Sequence, residues 1–381
     1  MIEVLMTART AETLPCQPAT PDSAPRLSFI DRLLPLWIFV AMGLGTAIGK
    51  IFPGFGDALD RVQIAGVSLP IAIGLLWMMY PVLAKVRYES LGRFRGEYRL
   101  FSVSMFFNWL VGPLLMFGLA WLFLPDEPAY RNGLILIGLA RCIAMVLIWN
   151  MLARGDGEVA AVLVALNSLF QIAMYSVLGW LFLTEVPGWF GAETTSVHIS
   201  IWTIGKNVAI FLGIPLVAAI GTRFTLVKRK GEAWYDERFI PRIGPTALLG
   251  LLYTIVLMFA MQGDRLLEAP FDVLRIALPL IVYFILMFSI TFITSKRLGF
   301  SYEETAALSF TAAGNNFELA IAIAIGVFGI TSGEAFAGVV GPLIEVPVLL
   351  ALVYVAFWLR GRLFPDAVRQ VDPVVAATGS D

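Results

Sequence analysis

The chain has 381 residues, of which 59% are hydrophobic and only 14% charged, and its mean hydropathy is +0.82. That is too little charge to wet the surface of a soluble protein of this length, so an integral membrane protein is expected. A formal net charge of −1 offers no field for nucleic acid, and two cysteines, Cys16 and Cys142, exclude a disulfide framework or a tetrahedral thiolate metal site within one chain.

Residues 1–28 hold four prolines and no apolar periodicity, and they read as a disordered cytoplasmic tail without a cleavable signal peptide. Runs of about 20 apolar residues mark membrane-spanning helices. Ten follow in order, near residues 31–50, 66–84, 100–124, 132–153, 158–183, 199–222, 243–262, 274–295, 304–328 and 335–359. Prolines within them (Pro113, Pro215, Pro279, Pro342 and Pro347) are tolerated where neighbours take up the freed carbonyls. Residues 363–381 read as a second cytoplasmic tail.

Loop charge sets the expected direction. With both termini in the cytoplasm, twenty Lys and Arg fall inside, and only Lys50, Arg61, Arg131, Arg265 and Arg275 fall outside. This asymmetry predicts a multi-pass protein of the plasma membrane, bacterial inner-membrane type, with both ends cytoplasmic. Arg141 and Lys206 lie within spans, and Glu318 and Glu345 are the acidic residues well inside one.

Ten spans divide into two sets of five, residues 29–184 and 199–362, and a five-span unit that repeats must re-enter the membrane inverted. Laying RGDGEVAAVLV on ITSGEAFAGVV matches Gly157-Glu158 to Gly333-Glu334 at an offset of 176. The same offset pairs Gly138 with Gly314 and Cys142 with Glu318. Spans four and nine thus each carry a glycine followed within four residues by polar side chains, the pattern of discontinuous helices around a midplane site. The stretch TAAGNNFELAIAIAIGVFGI therefore reads as a helix broken where amides and a carboxylate line a cavity.

Several side chains here can carry chemistry. Cys142, the intramembrane thiol, is either a small buried hydrophobe or a soft ligand, and its neighbour Arg141 favours the second because a nearby cation favours thiolate. Arg141 needs a partner at that depth, with Glu318 and Glu345 as candidates, in a structural ion pair or in substrate handling. Charged carboxylates are costly in hydrocarbon, so Glu318 and Glu345 are natural proton carriers. Asn315, Asn316, Asn108 and Asn167 supply neutral donors and acceptors for solute or for helix–helix bonding. Trp149 lies seven residues after Cys142, two helical turns along one face, or is a packing tryptophan. Lys206 and His198 receive no role. The sequence holds no phosphate-binding Gly-x-x-x-x-Gly-Lys loop and no His–Glu zinc motif, so neither an ATP-driven pump nor an enzyme is expected.

The segments LMMYPVLAKVRYE, GLARCIAMVLIWNMLARGD, NNFELAIAIAIGVFG and SGEAFAGVVGPLIEVPVLLALVYVAFWL resemble the arsenite efflux permeases of the third arsenical-resistance type, in the bile acid/arsenite/riboflavin transporter superfamily. The resemblance runs from about residue 30 to 362. It implies an all-α integral membrane fold of ten transmembrane helices as two inverted five-helix repeats. A core bundle with interrupted, crossing helices four and nine stands beside a panel of the other spans. It also implies export of trivalent arsenic, and in some members antimonite, against protons. Carried over by motif, the substrate-binding residues are Arg141, Cys142, Trp149, Asn316, Phe317, Asn108 and Asn167; Cys142 is a transient arsenic ligand, and the proton-coupling residues are Glu318 and Glu345. No cofactor is implied, the partners are arsenite, protons and the lipid bilayer, and no oligomeric state follows. One cysteine among oxygen ligands suits a site that must release arsenic, where three thiols would retain it. The competing readings are a sodium-coupled organic anion importer of the same superfamily and a membrane receptor or scaffold without flux.

Overall fold

A computed structural model of the protein describes residues 33–365, apart from 53, 56–58, 60–62, 65–66, 89–97, 144, 190–200 and 269. The tail 1–28, Cys16, His198 and residues 366–381 lie outside the described residues, as do Arg9, Arg26, Arg32, Arg61, Arg93, Arg95 and Arg369 of the charge count.

A backbone surrounded by hydrocarbon must satisfy its own polar groups, and apolar runs of this length do so as helices. In chain order these are α1 (Leu34–Ile51), α2 (Leu69–Ala84), α3 (Tyr98–Phe123), α4 (Pro128–Leu139), α5 (Met145–Leu152), α6 (Gly157–Trp189), α7 (Ile201–Lys230), α8 (Ile240–Glu268), α9 (Pro270–Arg297), α10 (Tyr302–Ala313), α11 (Phe317–Phe328) and α12 (Gly333–Leu363). Among the described residues, six helices, α3, α6, α7, the stretch Glu232–Met261, α9 and α12, are long and apolar enough to cross a membrane. Large apolar side chains point outward along them, including Leu122, Val217, Phe271 and Tyr354, as on a surface facing lipid. The chain is an integral membrane protein. Between α1 and α2 lies a short hairpin, Gln63–Ile64 paired with Val67–Ser68.

Proline chemistry shapes several spans. Wider π-helical turns occupy Phe107–Val111, Leu181–Glu185, Ala209–Gly213 and Tyr235–Phe239. Each is followed two residues later by a proline: Pro113, Pro187, Pro215 and Pro241. Proline has no N–H and its ring clashes with the carbonyl four residues back, so the helix widens by one residue and continues.

The helices sort into two sets by contact. One comprises α1, α2 and α8, with α8 lying along both α1 and α2, and is joined by α7, which packs on α2 and also reaches α6 and α11. The other holds α9 against α10, α12 and α3, and α12 against α4 and α11. Gly45 and Gly49 on α1 allow the first set to close, because a Cβ there would collide with the Val256 and Ala260 carbonyls of α8.

The fourth and ninth apolar runs each form two short helices, α4 then α5 and α10 then α11. The helices that follow begin at Gly157 and Gly333, 176 residues apart, each behind a side-chain cap from Asp156 or Ser332.

At one end of α9, Arg275 bonds Asp126 (2.6 and 2.7 Å) and Glu127 (3.1 Å), and the Tyr130 hydroxyl donates to Asp272 (2.7 Å). The Arg275 hydrogen bond holds the Asp126 carboxyl below its ordinary value of 3.8.

Candidate functional site

A helix interrupted in hydrocarbon leaves orphan carbonyls at the end of its first half and orphan N–H groups at the start of its second. Here the two breaks lie side by side and repair each other. Arg141 and Asn315 pair as an antiparallel bridge, flanked by bonds from Asn316 N–H to Ala140 O (3.0 Å) and from Cys142 N–H to Gly314 O (3.3 Å). Gly314 eases this approach, since an added Cβ would lie 3.0 Å from that of Cys142.

The orphan carbonyls are taken by two side chains. The Arg141 guanidinium donates to Gly138 O of α4, to Ala312 O of α10 (3.3 Å) and to the Tyr283 hydroxyl of α9 (3.1 Å). The Asn315 amide donates to Ile137 O (2.7 Å) and Ala140 O (3.2 Å). Gln171 on α6 accepts from Arg141 N–H. A guanidinium between two helix C-termini meets two negative dipole ends, which offsets the cost of burying it.

The helix starts are served from the other side. Cys142 Sγ accepts from Val146 N–H (3.3 Å), so the thiol caps α5. Asn316 Oδ1 caps α11 by accepting from Leu319 N–H (3.0 Å). Glu345, on α12 between Pro342 and Pro347, accepts from Asn315 N–H (3.1 Å).

Cys142, Asn316, Phe317, Glu318 and Glu345 line one cavity of about 110 Å³, whose opposite wall is α2 and α8. At roughly 10–15 Å³ of such space per water, it admits a small polar solute. Cys142, Asn316 and Glu345 are each 3% exposed, and Glu318 is more open. Lys85 and Gly244 border the cavity at one end. Among the described residues, no three His, Cys, Asp or Glu side chains come together as a metal site.

Four expected site residues lie elsewhere. Arg141 is fully buried, does not line the cavity and, among the described residues, contacts no carboxylate, so its expected pairing with Glu318 or Glu345 is corrected. Successive side chains of extended backbone point to opposite faces, so with Cys142 toward the cavity Arg141 turns away, and its charge is spent on helix ends rather than on the thiol. Trp149 is also buried outside the cavity, its indole N–H without a partner among the described residues. The two-turn spacing fails because α5 begins only at Met145, after Cys142. Asn108 donates to Ser104 O (2.8 Å) within its own wide turn, and Asn167 accepts from the Trp109 indole (3.0 Å). Both are buried and neither reaches the cavity.

Residues unmarked in the sequence prove central. Tyr283 and Gln171 hold Arg141, and Met78, Met79 and Met145 line the cavity. A lone Gln in an apolar run was a readable signal for Gln171; a Tyr or Met in a membrane helix carries none.

A helical membrane protein whose two broken helices border a solute-sized cavity carrying a few polar groups has the makings of a transporter. Residues 72–269 match the Sodium Bile acid symporter family, and the chain belongs to it. Within that breadth it groups with the arsenical-resistance proteins Acr3. It is 53% identical to that of Corynebacterium glutamicum over 341 residues, covering 90% of this chain and 92% of the relative. It is 32% identical to that of Alkaliphilus metalliredigens over 355 residues, covering 90% and 96%. An uncharacterized transporter of Synechocystis is 35% identical over 371 residues, covering 91% and 94%.

Proposed function

We propose that this protein exports trivalent arsenic as arsenite and exchanges it for protons, conferring arsenical resistance. The observation that carries this reading is the convergence of Cys142, Asn316, Glu318 and Glu345 on one cavity at the paired helix breaks. The names of the Acr3 relatives support it.

The accompanying architecture is ten spans in two inverted repeats, residues 29–184 and 199–362, with both termini cytoplasmic. The set α1, α2, α7 and α8 is the panel; the set with α4, α5, α10 and α11 is the moving core. Lys85 lies in a basic connection, so on this orientation the cavity opens to the cytoplasm.

Trivalent arsenic at neutral pH is mainly the uncharged trihydroxide. The Cys142 thiol displaces one hydroxyl: an S–As bond forms, an As–O bond breaks, and the thiol proton leaves with the hydroxyl as water. Arsenic stays trivalent throughout. Asn316 and the carboxylates accept from or donate to the remaining hydroxyls. The core then moves against the panel, and a proton from outside neutralises Glu318 or Glu345. Protonating Glu345 replaces a charge-assisted bond to Asn315 N–H with a neutral one, which links proton uptake to the crossing itself. Water returns to arsenic, regenerating thiol and trihydroxide.

Everted vesicles accumulate what the cell exports, and they test the reading directly. Arsenite accumulation should follow an imposed pH gradient and collapse with an uncoupler. The family's sodium symporters motivate a second reading, sodium-coupled transport of an organic anion. Uptake that requires a sodium gradient and ignores arsenite would select it.

A further inference from the structure

Three of the cavity's lining residues are methionines: Met78 and Met79 on α2, and Met145 at the start of α5, three residues after Cys142. The first two are each 1% exposed and belong to the panel-side wall; Cys142 and Met145 belong to the opposite wall. The place of Met78 is set by backbone, because a Cβ added to Gly250 of α8 would lie 2.9 Å from Met78 N and 3.0 Å from its Cβ. Thioethers are polarizable, adaptable and soft, and with thiolate they favour soft centres over hard ones. Hydroxyl-bearing solutes of similar size gain nothing from them.

We propose that Met78, Met79 and Met145 complete a soft-donor set with Cys142, split across the two helix sets, and that this set determines specificity for soft metalloids and soft monovalent cations. Because two donors stand on each wall, the set is whole only in the arrangement seen here. Sliding one set of helices past the other separates Met78 and Met79 from Cys142 and Met145, leaving the solute on the two sulfurs of one wall. Affinity is therefore higher from the side to which this cavity opens. No redox change is involved, and the thioethers lose or gain no proton. The inference rests on the proposed reading for arsenic, while its prediction for silver ion does not.

The full chain in detergent is titrated with silver ion alone. Leucine is close to methionine in volume but has no sulfur, so M78L/M79L isolates the donor atoms. Silver affinity should fall about tenfold in M78L/M79L and about threefold in M145L. In everted vesicles M78L/M79L should raise the arsenite KM about fivefold without lowering the maximal rate, as for lost ground-state binding. Half-saturation for arsenite presented from the opposite face should not move. Silver affinity and arsenite KM within twofold of wild type would overturn the proposal, as would equal losses from both faces. If M78L/M79L does not reach the membrane, M145L decides: because Met145 stays beside Cys142 in both arrangements, it should lower silver affinity about threefold and raise half-saturation for arsenite from both faces, and no loss in either would overturn the proposal. Wild-type vesicles that take up no arsenite, alongside the expected silver losses, would sink the transport reading and leave the donor set standing.

Discussion

The two sides of the helix crossing are built from neighbouring residues and do opposite things. On one side, Arg141 spends its hydrogen bonds on the carbonyls of Gly138 and Ala312, and Tyr283 ties it to α9, while Asn315, which also borders the cavity, holds the carbonyls of Ile137 and Ala140. On the other, Cys142, Asn316 and Glu345 make few bonds and face a cavity. Arg141 and Cys142 are adjacent in sequence, yet one holds the crossing together and the other is available to a solute. The lesson is that a charged residue beside a reactive one in a membrane helix break is as readily the mortar as the chemistry.

Substitutions should separate the sides. The largest effect is expected from Arg141→Leu, which strips donors from two buried helix C-termini and from Tyr283. It should cost about 3–5 kcal/mol and remove the protein from the membrane, read by immunoblot and by thermal unfolding in detergent. Arg141→Lys should recover little, because an ammonium cannot bridge both carbonyls as the planar fork does. Wild-type abundance in Arg141→Leu would return that residue to the cavity.

Cys142→Ser should abolish arsenite accumulation while abundance stays normal, since a hydroxyl can still accept from Val146 N–H. Glu345→Gln keeps an acceptor for Asn315 N–H and loses the titrating group. Stability should change by about 1 kcal/mol, and arsenite accumulation in vesicles should no longer respond to the pH gradient. A preserved pH response would shift the proton to Glu318.

Trp149→Phe should leave the arsenite KM within about twofold and cost about 1 kcal/mol in unfolding, the signature of packing rather than contact. The smallest effect belongs to the tie between Arg275 and Asp126. The Asp126 carboxyl is lowered in the folded protein, so the tie contributes above the unfolded value of 3.8 and fades as pH falls below it toward the lowered value. Asp126→Asn should remove that acid sensitivity, lowering the unfolding temperature slightly near neutral pH and leaving it unchanged well below pH 3.8.

Membrane residence was legible because apolar runs of spanning length have no other use, and the two breaks were legible because Gly138 and Gly314 precede polar clusters. Of the proposed site, Cys142, Asn316, Phe317, Glu318 and Glu345 were read from sequence and meet at the cavity. Arg141 was read as a partner of the thiol or of a carboxylate, but extended backbone turns adjacent side chains to opposite faces; Trp149 was placed by helical spacing from Cys142, which precedes the helix. Asn108 bonds Ser104 one turn back in its own helix, and Asn167 bonds Trp109 across a separation the sequence does not encode.

By itself, then, the sequence determined that this chain lives in a membrane, where its helices run and where two of them break, because hydrocarbon punishes every unsatisfied backbone group. Only the tertiary structure decided which polar residues face the cavity, which bind the broken ends together, and that methionines from a separate helix stand across from the thiol. Those choices depend on contacts between segments more than a hundred residues apart, such as Arg141 with Tyr283. No local pattern records them.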